Sequence, residues 1–275
     1  MRMNPRLFLI AALLSSAACS DADEMEERIG PSGEANAAAA TPLPPGSAAG
    51  DARAIAESTE DFEFEYSWPG EANAIPALAR LLQGRADTAR AELVETTRED
   101  RATAAEADYP FRPHSFSGEW QLVADLPGWL SLSSTISTYA GGAHPNTGFD
   151  SLLWDKRAGV ARDPLALFRD PQNFQNAIAR RFCTMLDAER GERRGEPVDP
   201  DADDYFSACP GVEEITVLLG SSDGETFDRV GILVMPYVAG PYAEGSYEFD
   251  LPVDTALLDA VKPGYERAFS LGPQN

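Results

Sequence analysis

The chain has 275 residues, enough for one or two domains with a real core, and its 43% hydrophobic and 24% charged residues read as a soluble globular protein. A formal net charge of −23 argues against nucleic acid, because phosphates are bound by Lys and Arg. The acidity instead suits a basic partner or simple solubility.

The first residues read as an export signal. Arg2 and Arg6 precede the apolar run LFLIAALL at 7–14, and the small residues SSAAC follow, up to Cys19. The run is too short to span a bilayer. Cys19 directly after Ala17 and Ala18 resembles a lipobox, in which that cysteine is lipidated and becomes the first residue, although Ser16 stands where Leu is usual. The alternative is ordinary cleavage after Ala18, leaving a free cysteine. Ser20 belongs to the residue class that permits sorting to an outer membrane, so the expected location is the periplasmic face of that membrane. Residues 19–58, rich in Ala, Pro, Gly, Ser and acid, lack apolar periodicity and read as a disordered tether. No later segment is long and apolar enough to cross a membrane.

Outside the cytoplasm the two remaining cysteines, Cys183 and Cys209, are expected to pair, the alternative being two separate buried thiols. Order begins at FEFEYSW, where Phe62, Phe64, Tyr66 and Trp68 alternate with polar residues as in a half-buried strand. A helix is predicted over about 74–107, with Gly84 as a point where it breaks or bends. Strands follow near 120–126, 130–139 and 149–154, the last two joined by the loop AGGAHPNTG. DPLALF opens a turn, and 173–190 is an amphipathic helix with Phe174, Ile178, Phe182, Met185 and Leu186 as its stripe. Strands at 214–219 and 230–235 flank the turn SSDGE, a last strand carries Tyr247, Phe249 and Leu251, and a short helix covers 254–261. The fold class is α+β: a largely antiparallel sheet with a long N-terminal helix and a second amphipathic helix packed on it.

Taken in order, FEFEYSW, the long helix, LSLSSTISTYAGGAHPNTGF, DPLALF, ACPGVEEITVLL and VGILVMPYVAGPYAEGSYEFDLP resemble the paired extracellular domains of RsiV-like anti-sigma factors and PdaC-type peptidoglycan deacetylases, the DUF4163 and DUF3298 domains. The specific pieces are Tyr139 to His144 (YAGGAH) and the loop from Pro236 to Gly245 (PYVAGPYAEG). The resemblance implies a DUF4163-like region at 59–158 and a DUF3298-like region at 159–271, forming one unit. In RsiV-like proteins this region is a lysozyme-binding sensor, and in the deacetylases it accompanies a separate catalytic domain. The chain shows no sigma-binding segment and no room for a deacetylase domain, so the expectation is the accessory or sensor module alone.

Four candidate sites follow. His144 as a general base would need an orienting carboxylate and a nucleophile, for which Asp150, Asp155, Ser137 and Thr147 are near in sequence. G-x-S-x-G is absent, and Gly141, Gly142 and Pro145 around it suit a shaped turn. A zinc site would have only His114 and His144, at no zinc-hydrolase spacing, so no metal and no cofactor are expected. Asp199, Asp201, Asp203 and Asp204 alternate like a calcium loop but lack the EF-hand Gly and Glu. Tyr237 and Tyr242 offer a stacking or contact surface, or pack their loop onto the sheet. The reading is a lipid-anchored envelope module that binds a cationic protein such as lysozyme, or a peptidoglycan fragment, through Tyr139, Gly141, Gly142, His144, Tyr237 and Tyr242. Its rival is a cell-wall hydrolase using His144 with a nearby carboxylate.

Overall fold

The structure, a computed structural model, describes residues 50–199 and 206–273. The signal, Cys19 and most of the tether lie outside the described residues, as do Asp201, Asp203 and Asp204. The fold is α+β with two sheets rather than one. The first has six strands in simple order: β1 (Arg53–Ser58), β2 (Phe62–Trp68), β3 (His114–Asp125), β4 (Trp129–Tyr139), β5 (Asn146–Asp155) and β6 (Val160–Arg162). The second is an antiparallel meander of β7 (Thr216–Gly220), β8 (Arg229–Val234) and β9 (Tyr247–Pro252).

The end of the tether is therefore not free chain. Residues 53–58 pair antiparallel with β2, because backbone hydrogen bonding to an edge needs little apolar content of its own. β2 alternates as its sequence demands, with Phe62, Phe64, Tyr66 and Trp68 all buried. The chain then makes one helical turn, α1 (Gly70–Asn73), and the long helix α2 (Pro76–Ala107). Pro76 suits the first helical turn, where its missing N–H has no partner to lose. The helix runs unbroken through Gly84, since one interior glycine weakens a helix without ending it. It returns the chain to β3, which lies parallel to β2 and makes this the one parallel pair of an otherwise antiparallel sheet.

Leu78, Leu82 and Ala86 of α2 close a core against Phe64, Trp120, Leu132, Leu152 and Trp154 of the first sheet. A second core forms around α3 (Pro171–Arg194), whose Phe174, Ile178, Phe182 and Leu186 recur every four residues and pack with Val217, Leu219, Ile232 and Tyr247 of the second sheet. The second helix thus covers chiefly the second sheet. Met185, expected in the stripe, is exposed, one position off the four-residue row. Leu153 of β5 and Ala124 of β3 join this second core, so the first sheet feeds both. Side chains cap the starts of α3 and of α4 (Thr255–Ala260): Asp170 Oδ1 accepts from Asn173 N–H at 2.7 Å, and Asp254 Oδ1 does the same for Leu257.

Cys183 on α3 and Cys209 form a disulfide with Cα atoms 5.6 Å apart, closing 26 residues of sequence separation. Chain-entropy reasoning assigns such a closure about 3–4 kcal/mol. Unfolding by denaturant with and without a reductant should therefore differ by about that amount; coincident midpoints would show that the bridge contributes nothing.

Candidate functional site

β4 and β5 extend the ladder to the pair Thr138 and Asn146, which shortens the expected loop to 140–145. Gly141 turns it with φ 79°, a left-handed conformation that favours glycine. The Tyr139 hydroxyl donates to the Gly142 carbonyl at 3.1 Å, and Arg112 reaches both groups at 3.4 and 3.5 Å. The loop carries His144, whose ring neighbours come from far along the chain.

His144 stacks on Tyr242, ring centroids 3.5 Å apart and planes 14° from parallel. Its Nε2 lies 3.1 Å from the Tyr237 hydroxyl and its Nδ1 2.9 Å from the Pro145 carbonyl. A carbonyl only accepts, so Nδ1 carries the proton and Nε2 of the neutral ring accepts from the Tyr237 hydroxyl. The tyrosine rings lie 5.8 Å apart. Two loops that the sequence separates by about ninety residues thus share one aromatic cluster. Tyr237 is 47% exposed and holds φ 71°. That left-handed conformation costs a non-glycine residue about 1–2 kcal/mol.

Three arginines near the end of α3 hold the second loop in place. Arg190 is fully buried, and its guanidinium donates to the carbonyls of Ala239 (2.8 Å), Ser207 (3.2 Å) and Ala208 (2.8 Å) and to Asp187 (3.1 Å). Arg193 donates to the carbonyls of Glu244 and Ser246 and lies 4.0 Å over the Tyr247 ring. Arg194 forks onto the Glu244 carboxylate at 2.9 and 3.1 Å. Glu244 also accepts from the Tyr247 hydroxyl and presses on Gly240, where a Cβ would collide with the carboxylate. These anchors went unread in the sequence. Arg190, Arg193 and Arg194 look there like an ordinary basic helix end, and the available signal was an arginine, Arg190, four residues beyond Leu186 on the apolar row.

The carboxylates proposed to serve His144 are engaged elsewhere. Asp150 accepts from Arg85 at 2.7 Å and from Ser151 N–H, while Asp155 holds Arg162 and the N–H groups of Arg157 and Ala158. Ser137 and Thr147 face each other across β4 and β5. Among the described residues none of these four bonds to His144. His114 is buried, 3.3 Å from Asp100 and against the Phe111 ring, among neighbours quite different from those of His144. Among the described residues no group of three or more His, Cys, Asp or Glu side chains could hold a metal ion.

Burial pushes the Glu244 carboxyl up, but the hydrogen bonds from Arg194 and Tyr247 outweigh it and hold it below its usual 4.5. Tyr247 is pushed up to about 12 by burial and by Glu244. A lowered folded pKa means that stability from ionised Glu244 is fully present above about pH 4.5 and is lost as pH falls through the folded value. Glu244→Gln should accordingly lose less stability than the parent between about pH 5 and about pH 3 in urea titrations; parallel losses would remove Glu244 as an acid-sensitive anchor.

The family model described as "Deacetylase PdaC" matches residues 55–147, a span that opens in β1 and closes just past His144. Two solved structures of DUF3298 family proteins are similar to the chain. That from Pseudomonas aeruginosa has 17% identity and a TM-score of 0.48, over 83% of this chain and 97% of its own. That from Bacteroides fragilis has 12% identity and a TM-score of 0.48, over 81% and 93%. No curated protein matches. The comparisons place the likeness to the PdaC model on the first sheet, its helix and the His144 loop.

Proposed function

We propose that the chain is a non-catalytic binding module of the cell envelope, tethered by a lipid on Cys19, that docks a cationic protein on the surface formed by His144, Tyr237 and Tyr242. The observation that carries this reading is Tyr237: an exposed aromatic held in a left-handed conformation, joined to His144 and beside Tyr242. Backbone strain of this kind persists where the surroundings impose it, and exposed tyrosines are favoured contact residues at interfaces. Met235, 41% exposed, adds apolar area on the same loop segment. The net charge of −23 draws a basic partner and repels an acidic one. The match of residues 55–147 to the PdaC model agrees with an envelope setting. The DUF3298 likeness expected for the second half, the export signal and the outer-membrane location belong to this same reading.

Less supports the rival hydrolase. Both ring nitrogens of His144 are taken, one by a backbone carbonyl and one by a phenol, and no carboxylate orients the ring among the described residues.

Calorimetry of the purified protein with hen lysozyme as the cationic probe, and with peptidoglycan fragments as the second titrant, tests this. Saturable heat with lysozyme is expected, with affinity falling at least about tenfold between low and molar salt as the screening length shrinks from about 10 Å to about 3 Å. Binding to peptidoglycan alone, or an affinity for lysozyme indifferent to salt, would overturn the proposal.

A further inference from the structure

Between the middle of α2 and the first sheet lies a cleft of about 510 Å³, within the size range of small-molecule sites. It is lined by none of the loop residues discussed above. Aromatic rings form part of its wall on the sheet side. Tyr66 and Phe116 lie nearly parallel, 6.4 Å apart at 9°, and Trp120 stands beside them. Strand register supplies the polar groups: Trp120 pairs with Ser134, and Ser134 with Asp150, so three neighbouring strands present one row on the helix-facing side. Arg85 of α2 reaches across to Asp150 at 2.7 Å and lies 5.2 Å over the Trp120 ring.

Two hydroxyl groups in this cleft have unused capacity. Ser134 is 1% exposed, and its Oγ has no hydrogen-bond partner among the described residues. The Tyr66 hydroxyl accepts from Trp120 Nε1 at 2.7 Å, and its own proton meets no acceptor among the described residues. Buried hydroxyls are ordinarily satisfied, so an unused pair beside an open cleft points to a partner that enters it. Above them sits Gly84, where a Cβ would meet no atom within 4 Å. Alanine is the better helix residue and would fit, so packing does not call for glycine there. The missing side chain keeps the mouth of the cleft open.

We propose that this cleft binds a neutral saccharide of one or two rings, with a ring's C–H face against Phe116, beside Trp120, and its hydroxyls on Tyr66, Ser134 and the Arg85–Asp150 pair. The chemistry selects this class. Aromatic walls suit an apolar ring face, and hydroxyls that both donate and accept suit other hydroxyls. Arg85 is already neutralised by Asp150, and Glu92 lines the same cleft, so an anion finds no spare positive charge. A purely apolar ligand would leave Ser134 and Tyr66 unsatisfied. The site is independent of the protein-docking surface, and either can fail without the other.

The test follows the Trp120 indole N–H resonance, assigned through Trp120→Phe, while N,N′-diacetylchitobiose and cellobiose are titrated in turn. A saturable shift with a Kd of about 1 mM or tighter is expected for at least one of them. Gly84→Leu, which fills the mouth and improves helix propensity, should weaken binding at least about tenfold without lowering the melting temperature. Ser134→Ala should weaken it several-fold while leaving the fold at least as stable. No saturable shift with either sugar, or wild-type affinity in folded Gly84→Leu, overturns the proposal.

Discussion

A wholly buried guanidinium organises the second half of this protein. Arg190 finds no solvent, yet its donors meet oxygens from three chain segments: Asp187 on its own helix, the carbonyls at 207 and 208, and the carbonyl of Ala239. A charge out of water is tolerated when hydrogen bonds replace its hydration, and here the acceptors are mostly backbone carbonyls. The disulfide ties Cys209 to the same helix next to Ala208, so covalent and polar clamps act on one stretch of chain. Arg193 and Arg194 continue the pattern on the following turn and fix the loop through Glu244. That loop carries Tyr242, which lies flat on His144.

His144 is accordingly part of a joint between two sheets' loops. One loop grows from the β4–β5 hairpin of the first sheet, the other follows β8 of the second. Their meeting places aromatic rings side by side at the surface while both nitrogens of the histidine are occupied. In this arrangement the Nε2 lone pair faces the Tyr237 hydroxyl and the ring lies flat against Tyr242. The strain at Tyr237 belongs to the same joint: its N–H bonds to the Gly240 carbonyl, closing the tight turn that presents its ring.

Local features were legible in the sequence and long-range ones were not. β2 announces itself by strict alternation, and α3 by its four-residue row, because each burial pattern is written in the residues of the element itself. The strand at 53–58 was hidden because it sits at an edge and gives few side chains to the core. The split into two sheets was hidden because pairing partners are chosen by tertiary packing and the sequence lists only strands. Tyr237 and Tyr242 could be singled out by composition. That they would meet His144 could not be, since the contact depends on carbonyl bonds to Arg190, Arg193 and Arg194 that no spacing rule encodes.

The central claim is that the strained tyrosine is kept for recognition. Tyr237→Gly separates recognition from folding, because glycine accepts φ 71° freely and removes only the side chain. The decisive measurement is the lysozyme affinity of that variant by calorimetry, alongside its stability. The account predicts binding weakened at least about tenfold, with stability within about 1 kcal/mol of the parent, since relieved strain offsets the greater flexibility of the unfolded chain. Unchanged affinity in the folded variant would contradict it.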